Sequence, residues 1–244
     1  MNNSSIGYIL LDKPIGWSSF DCVSYIKRKY SLKKAGHGGS LDPIATGLLL
    51  ILINNATKWF DNLHNHYKTY EVAMLLGASF DTLDITGNME NFYSFNSNKS
   101  NFILNSTQTE FISPTSKEVN EVLLSFKGES YQTPPKYSAL KINGKSAYEY
   151  ARKGKAVEMI QRKIFVDDIE LTHYNFPKIT FKVTCSKGFY VRSLCNDIAG
   201  KLGTLGVMYN LRRISQAGNN INEALEISKL PMNIDDIIIP KLPD

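Results

Sequence analysis

The sequence of 244 residues has no apolar run long enough to cross a membrane. Its longest apolar run spans residues 48–53, whereas a membrane-spanning helix needs about 20 apolar residues. Residues 1–5 also lack the basic and apolar regions of a signal peptide. Cysteine is scarce, and Cys22, Cys185 and Cys195 do not have the spacing of a zinc site. We therefore expect a cytoplasmic protein with reduced thiols and no membrane partner.

The chain also has no internal repeat, no regular strand–helix–strand rhythm and no phosphate-binding loop of the nucleotide-binding type. Its size suits one domain, or one domain with a small appendage. The formal net charge is +5 and the pI is about 8.9. This balance permits an anionic partner such as RNA, but it is a weak indication because many proteins that bind no nucleic acid share it.

The most distinctive segment is Lys34–Leu49, where glycine is dense. Glycine costs backbone entropy, so this density predicts positive φ angles or close approach to another backbone. Asp42 is the one carboxylate in the segment, and Pro43 stiffens the chain beside it. Two readings are open at this point. Asp42 is a nucleophile presented by a rigid turn, or it caps a helix whose first residue is Pro43.

Alternating and helical patterns occur together along the chain. They predict strands over residues 7–11, 48–53, 70–76 and 179–185, and helices after Ser18 or Ser19, after Thr115, over 147–153 and from about Tyr190. We therefore expect an α+β domain with a mixed sheet. The asparagine- and serine-rich stretch 91–113 is predicted to be a partly mobile surface insertion. Residues 225–244 are predicted to form a short helix and a tail, with 237–239 completing the core.

The run GHGGSLDPIATGLL resembles the catalytic motif of the TruB family of tRNA pseudouridine synthases, in which the pattern G-x-L-D-P-x-A-T-G-x-L holds the nucleophilic aspartate. Further segments are similar to the same family in the same order: 7–19, 67–87, 137–154 and 185–213. The resemblance therefore covers roughly residues 6–215. It implies the pseudouridine synthase fold, with a mostly antiparallel mixed sheet, flanking helices and a central active-site cleft.

The resemblance implies that the protein isomerises uridine to pseudouridine at position 55 in the T loop of tRNA. The partner is then the T-arm stem-loop, and the target base must be flipped out. The reaction oxidises nothing and no group leaves permanently, so we expect no cofactor and no metal. We also expect a monomer without an obligate protein partner.

The resemblance further assigns the site residues. Asp42 is the nucleophile, Tyr70 stacks on uracil and takes or relays the C5 proton, and Arg192 pairs with Asp42. The residues implied to bind substrate or support the active-site loop are His37, Tyr190, Leu211, Asp84 and Lys13.

Each assignment has a plainer structural alternative. Tyr70 lies in a strand, where core packing is the usual role. Arg192 is otherwise a surface cation at a helix N-terminus, which the helix dipole disfavours. His37 is otherwise an ordinary surface residue, and Asp84 a turn residue. The basic and aromatic residues of 136–155 are an RNA surface, or else a solvated helix with its tyrosines in the core.

Family members usually carry a C-terminal PUA domain, and the 31 residues that follow Arg213 have no room for one. We therefore expect a catalytic domain over 1–215 and a short tail over 216–244. Two rival functions remain: a non-catalytic RNA-folding protein, and a synthase acting at another RNA position.

Overall fold

The structure is a computed structural model that describes residues 5–97, 99–142, 144–155 and 158–241. The chain forms two compact units; the first extends to Glu71 and resumes at Leu211, and the second is Val72–Asn210. The helices are α1 (Ser19–Lys29), α2 (Phe60–Asn65), α3 (Ser116–Leu124), α4 (Ala147–Arg152) and α5 (Val191–Lys201). The strands are β1 (Gly7–Lys13), β2 (Ala35–His37), β3 (Thr46–Ile53), β4 (Lys68–Leu76), β5 (Ala78–Phe80), β6 (Met89–Asn96), β7 (Asn101–Leu104), β8 (Glu110–Phe111), β9 (Gly128–Gln132), β10 (Lys141–Ile142), β11 (Lys145–Ser146), β12 (Arg162–Asn175), β13 (Lys178–Cys185), β14 (Gly206–Gln216), β15 (Asn219–Asn220) and β16 (Leu225–Glu226).

The first unit is built around β3, in the strand order β16–β1–β3–β14. On one edge, β1 runs antiparallel along the full length of β3. On the other edge, β14 pairs parallel with Thr46 and Gly47, and β2 pairs antiparallel with residues 51–53. β2 and β14 therefore lie along the same edge of β3. The connection between β2 and β3 holds Asp42.

The apolar run of β3 is buried on both faces, as a continuous hydrophobic strand predicts. Alternate residues point into two separate cores. One core contains residues of β1, β3 and α1: Ile9, Leu11, Cys22, Val23, Ile26, Leu49, Ile51 and Ile53. The other contains residues of β1, β3 and α2: Tyr8, Leu10, Leu48, Leu50, Leu52 and Leu63. Each buried leucine or isoleucine contributes about 1.5–3 kcal/mol of transfer free energy, so β3 is the main anchor of this unit.

The second unit contains strands in the order β4–β13–β12–β9, together with α3, α4 and α5. Both β9 and β13 run antiparallel to β12. Capping boxes start α3 at Thr115 and Glu118 and α4 at Ser146 and Glu149, which confirms both predicted helices. The α+β class and the mixed, mostly antiparallel pairing are also confirmed.

The polar stretch 91–113 lies at the surface, as predicted, but much of it forms regular strands. β5, β6, β7 and β8 make a small antiparallel sheet. The ring of Phe102 lies 5.2 Å from that of Phe95, 6.2 Å from Phe111 and 5.1 Å from Phe176, measured between centroids. The scattered aromatic residues, rather than the polar majority, decide the structure of this segment.

The prediction of a helix within residues 225–244 is wrong. β16 is followed by short 3₁₀ turns at Ile227–Lys229 and Ile234–Asp236. Pro231 lies between these turns, and proline lacks the N–H that a continuous helix would need. The prediction that 237–239 completes the core is confirmed, because these residues pack on the first unit and Ile239 pairs with Tyr8 through two backbone hydrogen bonds.

Gly47 explains part of the glycine density seen in the sequence. Its φ is +99°, and a Cβ at this position would lie 2.3 Å from the carbonyl oxygen of Arg213. Both reasons that the sequence suggested, positive φ and close backbone approach, therefore apply at Gly47. The parallel pairing of β3 with β14 needs a residue without a side chain here.

We expect Gly47→Ala to lower the free energy of unfolding by at least ~3 kcal/mol, since it adds a backbone collision to left-handed strain. Gly16→Ala is the matched control, because its φ is +83° but nothing lies within 4 Å of a Cβ there. That change should lose only about 1–2 kcal/mol. Urea denaturation followed by circular dichroism measures both values, and equal losses would contradict the close approach at Gly47.

Candidate active site

Asp42 begins a β-turn rather than a helix. Its carbonyl oxygen accepts a hydrogen bond from the N–H of Ala45 at 3.0 Å, and β3 begins directly afterwards at Thr46. Pro43 occupies the second position of the turn, which its fixed φ favours. The alternative of a helix cap at Asp42 is therefore wrong. The half-buried Asp42 stands on a turn whose backbone is fixed at both ends.

Lys13 supports this turn from inside the protein. Its fully buried Nζ donates to the carbonyl oxygens of Pro14 at 3.0 Å, Trp17 at 2.5 Å and Pro43 at 3.3 Å. Burial lowers the pKa of Lys13, and the negative charge of Asp42 acts in the opposite direction. The hydrogen bond to Pro43 is the expected support of the loop by Lys13. A side chain with no exposed surface cannot contact the substrate directly.

Helix α1 is attached to the same loop. The hydroxyl of Ser19 accepts from the N–H of Leu41 at 2.8 Å and donates to the carbonyl of Leu41 at 3.2 Å. Ser18 forms the capping box of the helix with Asp21, so the two adjacent serines have different partners. One serine starts the helix and the other fixes the residue that precedes Asp42.

Two side chains of β14 hold the glycine-rich part of the loop. The guanidinium of Arg213 is fully buried and donates to the carbonyls of Gly39 at 3.1 Å, Ser40 at 3.4 Å and Leu48 at 2.7 Å. Gln216 donates to the carbonyl of Gly38 at 2.6 Å. The loop therefore lies on a set of buried donors that bond its carbonyl groups.

Three other predicted residues belong to the same unit. Tyr70 is 8% exposed on β4 and interacts electrostatically with Arg213. His37 is half-buried on β2, and its role in stacking on RNA stays a prediction. Burial lowers the pKa of His37 and the nearby charge of Arg213 lowers it further, which favours a neutral ring at pH 7. Leu211 is buried on β14, at the residue where the chain returns to the first unit.

Arg192 and Asp84 form a buried group within the second unit. Arg192 is 6% exposed near the start of α5, so the alternative of a surface cation is wrong. Its guanidinium donates to the carbonyls of Thr82 at 3.0 Å and Tyr137 at 2.9 Å, and its Nε lies 3.7 Å from the carboxylate of Asp84. Charge pairing and carbonyl acceptors compensate for placing this cation at the unfavourable end of a helix.

Asp84 has the geometry of an Asx-turn. Its Oδ1 accepts from the N–H of Thr86 at 2.9 Å and from the hydroxyl of Thr82 at 3.0 Å. The side chain is 4% exposed and its other oxygen faces Arg192. The structure therefore favours the turn interpretation, with Asp84 orienting Arg192, over the contact with RNA that the resemblance implies.

Tyr190 precedes α5 and is fixed through its backbone. Gln132 on β9 accepts from the N–H of Tyr190 at 2.8 Å and donates to its carbonyl at 3.1 Å. Gln132 is 3% exposed, so these two hydrogen bonds lie out of water. Tyr190 is partly exposed, and its role as a wall of a base-binding site stays a prediction.

The basic and aromatic segment 136–155 is largely exposed where the structure describes it. Tyr148 is 47% exposed, with the guanidinium of Arg152 5.6 Å from its ring centroid. The alternative of core tyrosines is therefore wrong for Tyr148. A cavity of about 400 Å³ lies beside this segment, and its polar and aromatic lining includes Lys136, Tyr137, Tyr150, Lys155 and Asp81.

The predicted residues thus occur in two groups, one within each unit. Asp42, Lys13, His37, Tyr70 and Leu211 lie in the first unit; Arg192, Asp84 and Tyr190 lie in the second. The pairing of Arg192 with Asp42 stays a prediction. Sequence reasoning gave no role to Arg213, Gln216 and Gln132. For Arg213 a signal existed, because it is two residues from Leu211 on one strand and so shares its buried face.

Within the described ranges, no cluster of three or more His, Cys, Asp or Glu side chains has the arrangement of a metal site. Helices long and apolar enough to span a membrane are likewise absent from the part of the chain that the structure describes. The expectation that no cofactor is needed stays a prediction, since it rests on the chemistry of the reaction.

Comparison with known proteins gives related sequences and folds. The sequence profile of the TruB family pseudouridylate synthase N-terminal domain matches residues 27–191. The tRNA pseudouridine synthase B of Clostridium kluyveri is 39% identical over 235 residues, which are 96% of this chain and 75% of that protein. The tRNA pseudouridine synthase B of Prochlorococcus marinus is 38% identical over 96% of this chain and 70% of its own length.

Solved structures agree with this relationship. A chain in the crystal structure of a Cbf5–Nop10–Gar1 complex aligns with a TM-score of 0.67 at 27% identity, over 92% of this chain. A chain in an H/ACA RNP bound to a substrate RNA containing 2′-deoxyuridine gives 0.64 at 25% identity. The present chain spans about half the length of these two chains, 53% and 52%. From the profile match and the identities to the synthases, the chain belongs to the TruB family of pseudouridylate synthases.

Proposed function

We propose that this protein isomerises uridine to pseudouridine at position 55, in the T loop of tRNA, without a cofactor. Family membership and the named relatives support this activity. The observation that carries it is the placement of Asp42 on a proline-stiffened turn whose neighbouring carbonyls are bonded by Lys13 and Arg213. A nucleophile needs such a fixed position, because misplacement by 1 Å can reduce turnover ~100-fold.

The chemistry fits a carboxylate nucleophile. The reaction breaks the bond between N1 and C1′ and forms one between C5 and C1′ of the same nucleotide. A proton leaves C5 and another is gained at N1, so oxidation state is conserved and no cofactor is required. Asp42 would assist detachment of the base, and attack at C1′ of the ribose and attack at C6 of the uracil both satisfy this requirement.

The other residues would hold the free base and remove the C5 proton after C5 has bonded to C1′. Tyr70 would stack on uracil and accept the C5 proton; it is buried on β4 and lies beside the charge of Arg213. Arg192 would supply a permanent positive charge that stabilises the ionised nucleophile. The remaining contacts are assigned to His37, Tyr190 and Leu211.

The RNA would be held through the exposed segment 136–155 of the second unit. Its lysines suit phosphates, and exposed rings such as Tyr148 suit stacking on unpaired bases. We further propose that the protein acts as a monomer in the cytosol, where its three buried free cysteines, Cys22, Cys185 and Cys195, would stay reduced.

Mapping pseudouridines in RNA from cells that lack the protein separates this function from its rivals. Loss of pseudouridine at tRNA position 55 supports the proposal. Loss at another RNA position identifies a different target, and an unchanged map indicates an RNA-folding protein without catalysis.

Asp42→Asn should bind tRNA with an affinity within a few-fold of wild type but lose at least ~10³-fold in kcat, because the amide keeps the shape and removes the nucleophile. Asp61→Asn, an exposed carboxylate on α2, is the control and should retain activity. Release of tritium from [5-³H]uridine in tRNA measures turnover, and filter binding measures affinity. Residual turnover above a few per cent would remove Asp42 from this role.

Tyr70→Phe keeps the ring and deletes the hydroxyl, so base binding should survive while deprotonation at C5 fails. We expect a loss of ~10²–10⁴-fold in kcat with little change in RNA affinity. Tyr131→Phe, a tyrosine that is 67% exposed, serves as the control. If Tyr70→Phe turns over within a few-fold of wild type, Tyr70 only stacks.

An isolated T-arm hairpin should be modified with a kcat/KM within ~10-fold of full-length tRNA, because the predicted contacts concentrate on one stem-loop. Affinity should fall with salt with the slope of a handful of released counterions. A hairpin with cytidine at position 55 is the negative control. A hairpin penalty of ~100-fold, about 2.7 kcal/mol, would show that contacts outside the arm matter.

A further inference from the structure

Arg213 is a fully buried cation whose partners are not carboxylates. Its guanidinium donates to the backbone carbonyls of Gly39, Ser40 and Leu48, and it interacts electrostatically with the phenol of Tyr70. The described residues place no ion pair on it. Burial of an uncompensated charge is expensive, and methionine would fill a similar volume without that penalty. The presence of a charge here therefore indicates a functional role for Arg213.

The geometry joins two parts of the proposed site. Two of the carbonyls precede Asp42 in the loop and the third lies on β3, so the planar fork holds the loop against the strand on which it ends. The same cation interacts electrostatically with Tyr70 on β4. A change at Arg213 would therefore alter the proposed nucleophile and the proposed base together.

The charge also biases the ionisation of Tyr70. A positive charge beside a phenol favours its phenolate form. Other titratable groups lie around Arg213: Lys13 on β1, His37 on β2 and Lys68 on β4, with Asp42 on the turn interacting with Lys13.

We propose that Arg213 is a positioning residue that fixes the Asp42 loop on β3 and holds Tyr70 as the acceptor of the C5 proton once the C5–C1′ bond has formed. The inference rests on the proposed function. In the step concerned, the C5–H bond breaks, its electron pair returns to the uracil ring, and the phenolate oxygen of Tyr70 takes the proton. Water then supplies the proton for N1.

The test compares Arg213→Met with Gln216→Met. Gln216 also holds the loop, through the carbonyl of Gly38, and it carries no charge. We expect both variants to lose turnover, with Arg213→Met losing ~100-fold or more in kcat and RNA affinity staying within a few-fold. Only Arg213→Met should move the rise of kcat with pH to higher pH, by about one unit or more, because only this variant removes the charge next to the phenol.

Two outcomes would overturn the proposal. One is a folded Arg213→Met whose kcat lies within a few-fold of wild type. The other is a pH profile of Arg213→Met that coincides with that of Gln216→Met, which would leave Arg213 as a loop anchor only. Arg213→Lys should restore the wild-type pH profile while recovering turnover only partly, since lysine keeps the charge and loses the fork.

A measurement without turnover covers the case in which Arg213→Met does not fold. In wild-type protein with ¹³Cζ-labelled tyrosine, the Tyr70 signal is assigned by its absence from Tyr70→Phe. We expect Tyr70 to ionise at or below the pH of the exposed tyrosines despite its burial, and ionisation above them would refute the inference. This readout is independent of Asp42, so failure of the proposed function and failure of the Arg213 role are distinguishable.

Discussion

The parallel pairing of β14 with β3 is the constraint on which the first unit depends. It is limited to Thr46 and Gly47, directly after the turn that carries Asp42. Because β14 lies so close there, a side chain at position 47 is excluded, and Arg213 is brought under the loop. The backbone of the loop is thus defined by a strand that is distant in sequence. The position of Asp42 therefore depends on the packing of the sheet.

Elements whose signals are local could be predicted from the sequence. The continuous apolar run of β3, the capping boxes of α1 and α3, and the alternation in β4 and β13 each contain their own information. The turn at Asp42 could not be separated from a helix start, because aspartate followed by proline fits both. The strand pairing of Thr46 and Gly47, which follow the turn, decides between a turn and a helix start.

The support of the site was harder to predict. Arg213, Gln216 and Gln132 bond backbone groups that are far away along the chain, and no local pattern indicates a partner of that kind. Asp84 is the opposite case. Its position in a motif implied a contact with RNA, whereas in the structure it is buried and its partner is Arg192. Sequence motifs identify the residues of the site more readily than they identify the role of each residue.

The loop that carries Asp42 is held almost entirely by its carbonyl groups. Lys13, Arg213 and Gln216 bond the carbonyls of residues 43, 39, 40 and 38, and every amino acid offers the same acceptor. These anchors therefore do not distinguish one side chain from another. They depend instead on the number of residues in the loop. Inserting one residue displaces each later carbonyl by up to ~3.8 Å and breaks these hydrogen bonds. These anchors therefore constrain the length of the loop rather than its side chains.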